Sequence, residues 1–263
     1  MKFQVKKVLQ ATLKEFDIGI ARHGRLQWLE GYEKDVEKDV AALLALPAEK
    51  LSTLVSLVHK STSQLRQDLF ALAELDFKKN GYFVEFGATN GIDLSNTYLL
   101  EREFGWCGIL AEPARCWHQA LKENRRSKIE TNCVWRDSKS LLQFNEVDLA
   151  ELSTIASYSN ADMHRTERKS GRSYSVNTIS LNDLLKKYNA PKEIDYLSID
   201  TEGSEFEILS NFDFDRYQFR VITCEHNFTP LREKIFKLLT KHGYARKYIG
   251  FSKCDDWYVK ELP

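Results

Sequence analysis

From Gly81 onward the chain alternates short apolar runs with amphipathic stretches of helical period, and this alternation restricts the fold more than any other feature of the sequence. A strand, a crossover helix and a second strand make a βαβ unit, and repeating that unit produces a largely parallel sheet with helices on both faces. The strand candidates are Tyr82–Phe86, Cys107–Ala111, Ile129–Trp135, Ile194–Ile199, Arg220–Cys224, and two late ones near Ala245–Phe251 and Trp257–Lys260. The intervening helices are expected over Ser95–Phe104, Pro113–Asn124, Ser180–Tyr188, Gly203–Leu209 and Pro230–His242. The pattern predicts an α/β fold, doubly wound, with a mostly parallel seven-stranded sheet.

The first sixty or so residues contain no convincing strand. They carry helical periodicity at Val36, Val40, Leu43 and Leu44 and again at Leu51, Leu54, Val55 and Val58, with Pro47 between the two runs. Residues 1–62 therefore read as an N-terminal helical appendage to a domain spanning 63–263. The stretch from Leu152 to Val176 follows neither period and is rich in Ser, Asn, Arg and Tyr, as a functional lid or a disordered insert would be.

The chain has 38 basic and 38 acidic residues, so nothing in its balance calls for a polyanionic partner, and no nucleic-acid binding is expected. The cluster Arg125, Arg126 and Lys128 reads as a solvated helix end. No apolar run approaches the roughly 18 residues of a membrane span, and the expectation is a cytoplasmic protein. The five cysteines form no C-x-x-C pair and read as small buried hydrophobes in a reducing compartment. The apolar stripe on the N-terminal helices suits packing on their own domain, a homodimer or another partner contact.

In an open parallel sheet, ligands lie beyond the carboxyl ends of the strands near the switch in strand order, so the turn after the first strand is the place to look for a site. It reads Val84-Glu85-Phe86-Gly87-Ala88-Thr89-Asn90-Gly91, with two glycines that permit a tight turn and close backbone approach. The next strand ends at Glu112, 27 residues after Glu85, where nucleoside-binding folds present an acid to ribose hydroxyls. Thr89 stands where a dinucleotide fingerprint has its second glycine, leaving little room for a diphosphate. S-adenosylmethionine has no diphosphate, and its positive groups suit acidic neighbours such as Glu85 and Asp200. A methyl donor is favoured over a nicotinamide.

The runs Ser63–Phe70 (SQLRQDLF), Phe83–Thr97 (FVEFGATNGIDLSNT), Trp106–Pro113 (WCGILAEP), Thr178–Leu185 (TISLNDLL), Ile194–Leu209 (IDYLSIDTEGSEFEIL) and Glu225–Asn227 (EHN) resemble the FkbM family of S-adenosylmethionine-dependent methyltransferases. The resemblance spans about Ser63 to Lys260 and implies a Rossmann-like methyltransferase sheet. It implies that Glu85, Gly87, Ala88 and Gly91 hold the methionine end of the cofactor, with Asn96 near it and Glu112 on the ribose. Cys133 and Val134 would flank adenine, while Gln67 and Asp68 close the pocket. Members of the family are linked to methylation of polysaccharides, lipopolysaccharides and natural products, which implies a small-molecule or glycan acceptor and a sugar hydroxyl as the methylated group.

Such a hydroxyl must lose its proton, and the candidate bases stand at the ends of the fourth and fifth strands: Asp200, Glu202, Glu225 and His226. Asp200 ends an apolar run, where a carboxylate without a task is costly. His164, in the insert, is a weaker candidate. Glu205 and Glu207 read as helix-surface charges, and Asp255 and Asp256 as a turn. Asp200, Glu202 and Glu225 are oxygen ligands of the kind a divalent cation takes, but spacing alone does not establish one and no metal is expected. Methylation of an amine or a non-sugar alcohol, a nicotinamide-dependent oxidoreductase and a catalytically silent binding module remain as alternatives.

Overall fold

The computed structural model describes residues 36–261, of which Ala42 onward belong to one compact unit. The helical reading of the first 35 residues lies outside the described residues. Within them, helical structure before the sheet includes α1 (Leu51–Leu57) and α2 (Gln67–Glu74).

Seven strands form the main sheet: β1 (Tyr82–Phe86), β2 (Cys107–Ala111), β3 (Lys128–Glu130), β8 (Glu193–Ile199), β9 (Gln218–Glu225), β10 (Tyr244–Lys247) and β11 (Asp255–Lys260). Their spatial order is β10-β11-β9-β8-β1-β2-β3. From β3 across to β9 every pairing is parallel, whereas β11 runs antiparallel to both β9 and β10. The chain winds outward from β1 to β3 and then returns to the other side of β1 to lay down β8 and β9. The strand order thus reverses between β1 and β8, which places their carboxyl ends at the crevice where such sheets bind ligands.

Strands covered on both faces read as continuous apolar runs, and alternate side chains divide between two cores. Val84, Phe86, Ile109, Leu197 and Ile222 face a core closed by α5 (Leu181–Lys187), α6 (Glu205–Ser210) and α7 (Leu231–Lys241). Phe83, Leu110, Tyr196, Val221 and Trp257 face the opposite core, with Leu54 of α1, Leu69 and Leu72 of α2, and Leu99 and Leu100 of α3 (Tyr98–Phe104). Between β2 and β3, α4 (His118–Asn124) adds Leu121 to this second core. Helix α5 starts at Ser180, whose side chain accepts from the Asp183 N–H and satisfies one of the orphan donors of the first turn.

The run expected as a single strand, Ile129–Trp135, is split. Lys128–Glu130 pairs with β2, while β4 (Cys133–Trp135) leaves for a second, four-stranded sheet and pairs there with Arg172–Ser180. That sheet contains β5 (Leu141–Glu146), β6 (Thr154–Ile155) and β7 (Arg172–Ser180), over a small core of Ala114, Cys133, Trp135, Phe144, Ile155 and Val176. The aperiodic insert is therefore built on a β-hairpin, with short 3₁₀ turns at Ala156–Tyr158, Met163–Arg165 and Glu167–Ser170 between its arms.

Three other expectations fail, two of them through long-range charge pairing. Asp255 and Asp256 are no turn but the buried start of β11, where Asp256 accepts from Arg232 and Arg246. Arg125, expected in solvent, is buried between Glu85 and Glu101. All five cysteines are free, and Cys107 and Cys116 are exposed rather than buried. Among the described residues no single helix is long and apolar enough to cross a membrane.

Candidate active site

A cleft of about 870 Å³, open to solvent, lies at the carboxyl ends of β1, β2 and β8. Its floor is the turn after β1. Gly87 has φ +75°, and a Cβ there would stand 2.1 Å from the Asp200 carbonyl oxygen, so only glycine lets this turn cross the end of β8. Gly87 and Ala88 N–H groups both donate to the Ala111 carbonyl, drawing the turn across the end of β2. Thr89 holds φ +46° and donates its N–H to Glu112 Oε2 at 2.9 Å, while Ala114 N–H donates to Oε1 at 2.8 Å. Burial pushes the Glu112 carboxyl up to about 7 against these two donors. The two backbone bonds leave lone pairs of Glu112 free beside the cleft it lines.

Glu85 lines the same cleft, but its oxygens are taken. They accept from Ser95 Oγ, Asn96 N–H and Thr97 Oγ1, and Arg125 stands 3.7 Å away. The carboxylate therefore fixes the segment 95–97 and through it Asn96, whose Nδ2 donates to Ser198 and whose buried Oδ1 has no partner. Gln67, which also lines the cleft, donates from Nε2 to Asp255 Oδ2 at 2.9 Å. Cys133 and Val134 line the wall, joined by Phe144 and Ile155 of the second sheet and by Ser153 just before β6, which no sequence signal brought to the site. Asp68, Ala88 and Gly91 are not among the lining residues. Asp68 is buried behind the wall, bonded to Ser61 and to the Leu69 N–H, and Gly91 packs on Leu121 and Arg125.

The other end of the cleft is formed by Asp200, Thr201, Glu202 and Ser204, in the loop between β8 and α6. Glu202 holds φ +58°, a left-handed conformation that a non-glycine residue adopts at some cost. The loop is tied from below by Glu205. Expected as a surface charge, Glu205 is buried and accepts from Thr201 N–H, Thr201 Oγ1 and Gly203 N–H, the last at 3.0 Å. Glu202 Oε2 accepts from Arg168 at 2.7 Å and from Asn227 Nδ2 at 3.0 Å. Arg168, itself buried, also bonds Asp162 at 2.8 Å and the Leu152 carbonyl, so it binds the insert to this loop.

On the far side of the loop a second cavity of about 610 Å³ is lined by Tyr158, Asp162, Gly203, Glu205, Glu225, His226 and Asn227, among others. Glu225 ends β9, opposite Asp255 and next to the strand that delivers Asp200. One oxygen each from Asp200, Glu202 and Glu225 lie within 4.8 Å of one another. Burial first raises all three carboxyls well above the ordinary range, with Asp255 adding to it at Asp200 and the charge of Asp200 adding to it at Glu202 and Glu225. His226 is differently placed. Its Nδ1 accepts from the Phe228 N–H at 3.0 Å, so the neutral ring carries its proton on Nε2, and burial lowers its pKa. His164 lines neither cavity.

A doubly wound sheet with one reversed strand near its edge, a glycine-bearing turn after β1 and an acid at the end of β2 define a Rossmann-like methyltransferase domain. The chain matches the Methyltransferase FkbM domain over residues 85–251, and it belongs to that family. It is an S-adenosylmethionine-dependent methyltransferase. No curated protein sequence matches it. Similar solved structures include the precorrin-6y C5,15-methyltransferase of Geobacter metallireducens, at 11% identity over 73% of this chain and 85% of that one, with a TM-score of 0.40. Another is the fibrillarin of Aeropyrum pernix with natively bound S-adenosyl-L-methionine, at 11% identity over 75% and 73% of the two chains, with a TM-score of 0.37.

Proposed function

We propose that the protein is an O-methyltransferase acting on a sugar hydroxyl of a glycan, polysaccharide or glycosylated small molecule. The observation that carries this reading is the convergence of Asp200 and Glu202, which line the cleft, with Glu225 of the adjoining cavity. Three clustered carboxylates with raised proton affinity, Glu202 and Glu225 buried and Asp200 half-buried, supply what an alcohol acceptor needs and a softer nucleophile does not, a group able to take its proton.

The residues present fit the donor. Glu112 keeps lone pairs for two ribose hydroxyls, and Asn96 Oδ1 is a buried acceptor without a partner that suits an ammonium group. Cys133, Val134, Phe144 and Ile155 offer an apolar wall for a purine. Bound there, S-adenosylmethionine supplies an electrophilic methyl group. The chain's part is to hold the acceptor oxygen in line with that methyl and to remove its proton.

Asp200 is the base we assign. It lines the donor cleft and also belongs to the carboxylate trio, whereas the His226 imidazole has its basic nitrogen engaged by Phe228. Burial first, then the charge of Asp255, raises the Asp200 carboxyl to about 7, so it can take a proton near neutrality. The acceptor lies against the second cavity, where Tyr158, Asp162 and Asn227 combine an aromatic face with hydrogen-bonding groups, the combination that carbohydrates use.

The test is incubation with methyl-labelled donor and nucleotide-sugar or polysaccharide pools, followed by mass spectrometry. The expected product is one methyl mass heavier, with the label on a sugar oxygen. Label on an amine or on a non-sugar alcohol would replace the acceptor assigned here.

A further inference from the structure

We propose that Asp200, Glu202 and Glu225 form a binding site for one hard divalent cation of the magnesium or manganese class, which holds the acceptor hydroxyl beside the methyl donor. The role given to the cation rests on the hydroxyl-methylation reading above. Its binding does not.

The three side chains come from two adjacent parallel strands. Ile199 pairs with Cys224, so Asp200 and Glu225 leave the sheet side by side, and the left-handed backbone at Glu202 turns the third carboxylate back toward them. One oxygen from each lies within 4.8 Å of the others, a separation that small side-chain rotations reduce to the span of ligands about 2.0–2.1 Å from a magnesium ion. All the donors are carboxylate oxygens, which suits a hard cation and not a thiophilic one.

Proximity of acids is not by itself a site, and Glu225 provides the second observation. Glu225 is 8% exposed, and its buried Oε2 has no hydrogen-bond partner. A buried carboxylate oxygen without a donor is costly, and native structures rarely keep one without a use. Among the described residues, neither Asp200 nor Glu225 has an ion-pair partner, and the one cation on the trio, Arg168 on Glu202, is itself matched by Asp162. That arrangement holds Glu202 from behind by one oxygen and leaves the other for the cluster. Ligating carboxylates are oriented by such outer contacts.

With the cation in place, three carboxylate ligands leave coordination positions for water and for the acceptor oxygen. The bound hydroxyl becomes more acidic, and its proton passes to the Asp200 oxygen that does not ligate. The oxygen–carbon bond then forms as the carbon–sulfur bond breaks, the electron pair going to sulfur. One proton is later released to solvent.

The experiment is Mn²⁺ titration of the full chain after dialysis against chelator, followed by the electron paramagnetic resonance of free Mn²⁺. One tight Mn²⁺ per chain is expected, weakened by about tenfold or more in Glu225→Gln, since loss of even an outer-shell partner costs about 10–100-fold. Unchanged binding of S-adenosylhomocysteine by calorimetry shows that the variant is folded, and Asp200→Asn serves as a second variant. No uptake by the wild-type chain, or equal uptake by both variants, overturns the site. Full transfer to a sugar by chelated enzyme overturns the cation's role. Mn²⁺ uptake by the wild-type chain that the variants lose, with no methyl reaching any sugar, sustains the site and instead defeats the sugar reading.

Discussion

Glu85 and Glu225 are both buried carboxylates at the ends of neighbouring regions of one sheet, yet their surroundings are opposite. Glu85 accepts from two hydroxyls and a backbone N–H and faces Arg125, whereas Glu225 has a buried oxygen with no donor and no ion-pair partner among the described residues. At the donor end Glu85 is thus spent on shaping the wall, while Asn96 Oδ1 and the free lone pairs of Glu112 face the ligand. The acceptor end is unfinished, with charge held in reserve for something that arrives. Satisfied charge builds a site, and unsatisfied charge performs in it.

The largest effect that could break this contrast is on turnover. Asp200→Asn should lower kcat by roughly 10²–10⁴-fold, the usual worth of a general base, while His226→Gln should cost less than about tenfold, because its basic nitrogen already serves Phe228. Steady-state kinetics on both variants decides between them, and a larger loss at His226 would reverse the assignment.

Stability offers the second test. Glu85→Gln should destabilise the fold by about 3–5 kcal/mol in urea denaturation, the range for breaking a buried pair, because Arg125 is left short of a counter-charge at its core position. A loss below about 1 kcal/mol would mean that Glu101 alone suffices for Arg125.

Glu112 sharpens the picture on the donor side. Glu112→Ala should weaken S-adenosylmethionine binding by about 1–3 kcal/mol in calorimetry. Because the carboxyl is pushed up to about 7, and only its ionised form accepts from both ribose hydroxyls, wild-type affinity should rise with pH through that value. The unliganded protein should respond the other way. A folded-state pKa above the unfolded one means proton uptake on folding, so this group's stabilisation is complete below about pH 4.5 and is lost as pH rises to about 7. Glu112→Gln should flatten both profiles.

The smallest effect is also the most diagnostic. Glu225→Gln should stabilise the cation-free protein, by about 1 kcal/mol in thermal or urea melts, since it removes a repelling charge and supplies a donor where none exists. A destabilising substitution would place Glu225 with Glu85 and end the contrast.

The sequence made the donor turn legible because its parts are consecutive. Gly87, Glu112 and the ends of β1 and β2 fall where short-range patterning puts them. The acid run from Asp200 to Glu202 was likewise visible, and its role as a cluster followed from the register of β8 and β9. What escaped depends on distant partners. The run Ile129–Trp135 reads as one strand until β7 claims its second half. Glu205 reads as a surface charge until the three donors of Thr201 and Gly203 turn inward. The arms β5 and β7 expose Gln143, Ser173 and Asn177, and also Leu141, so their apolar alternation is too weak to separate from loop. Phe144 and Ile155 reach the cleft only through that hairpin.

Arg168 has a consequence for anyone wishing to redirect this enzyme. The insert between β6 and β7 looks like a detachable cassette, a segment to exchange for a new acceptor preference. Arg168 is bonded to Asp162 within the cassette and to Glu202 in the scaffold, so the two have been wired to a common contact. A graft that omits this arginine would strand Glu202 without its anchor, and the transplanted enzyme would lose chemistry before it gained a new substrate. Recombination here is constrained by a single guanidinium, whatever the neighbouring loops will tolerate.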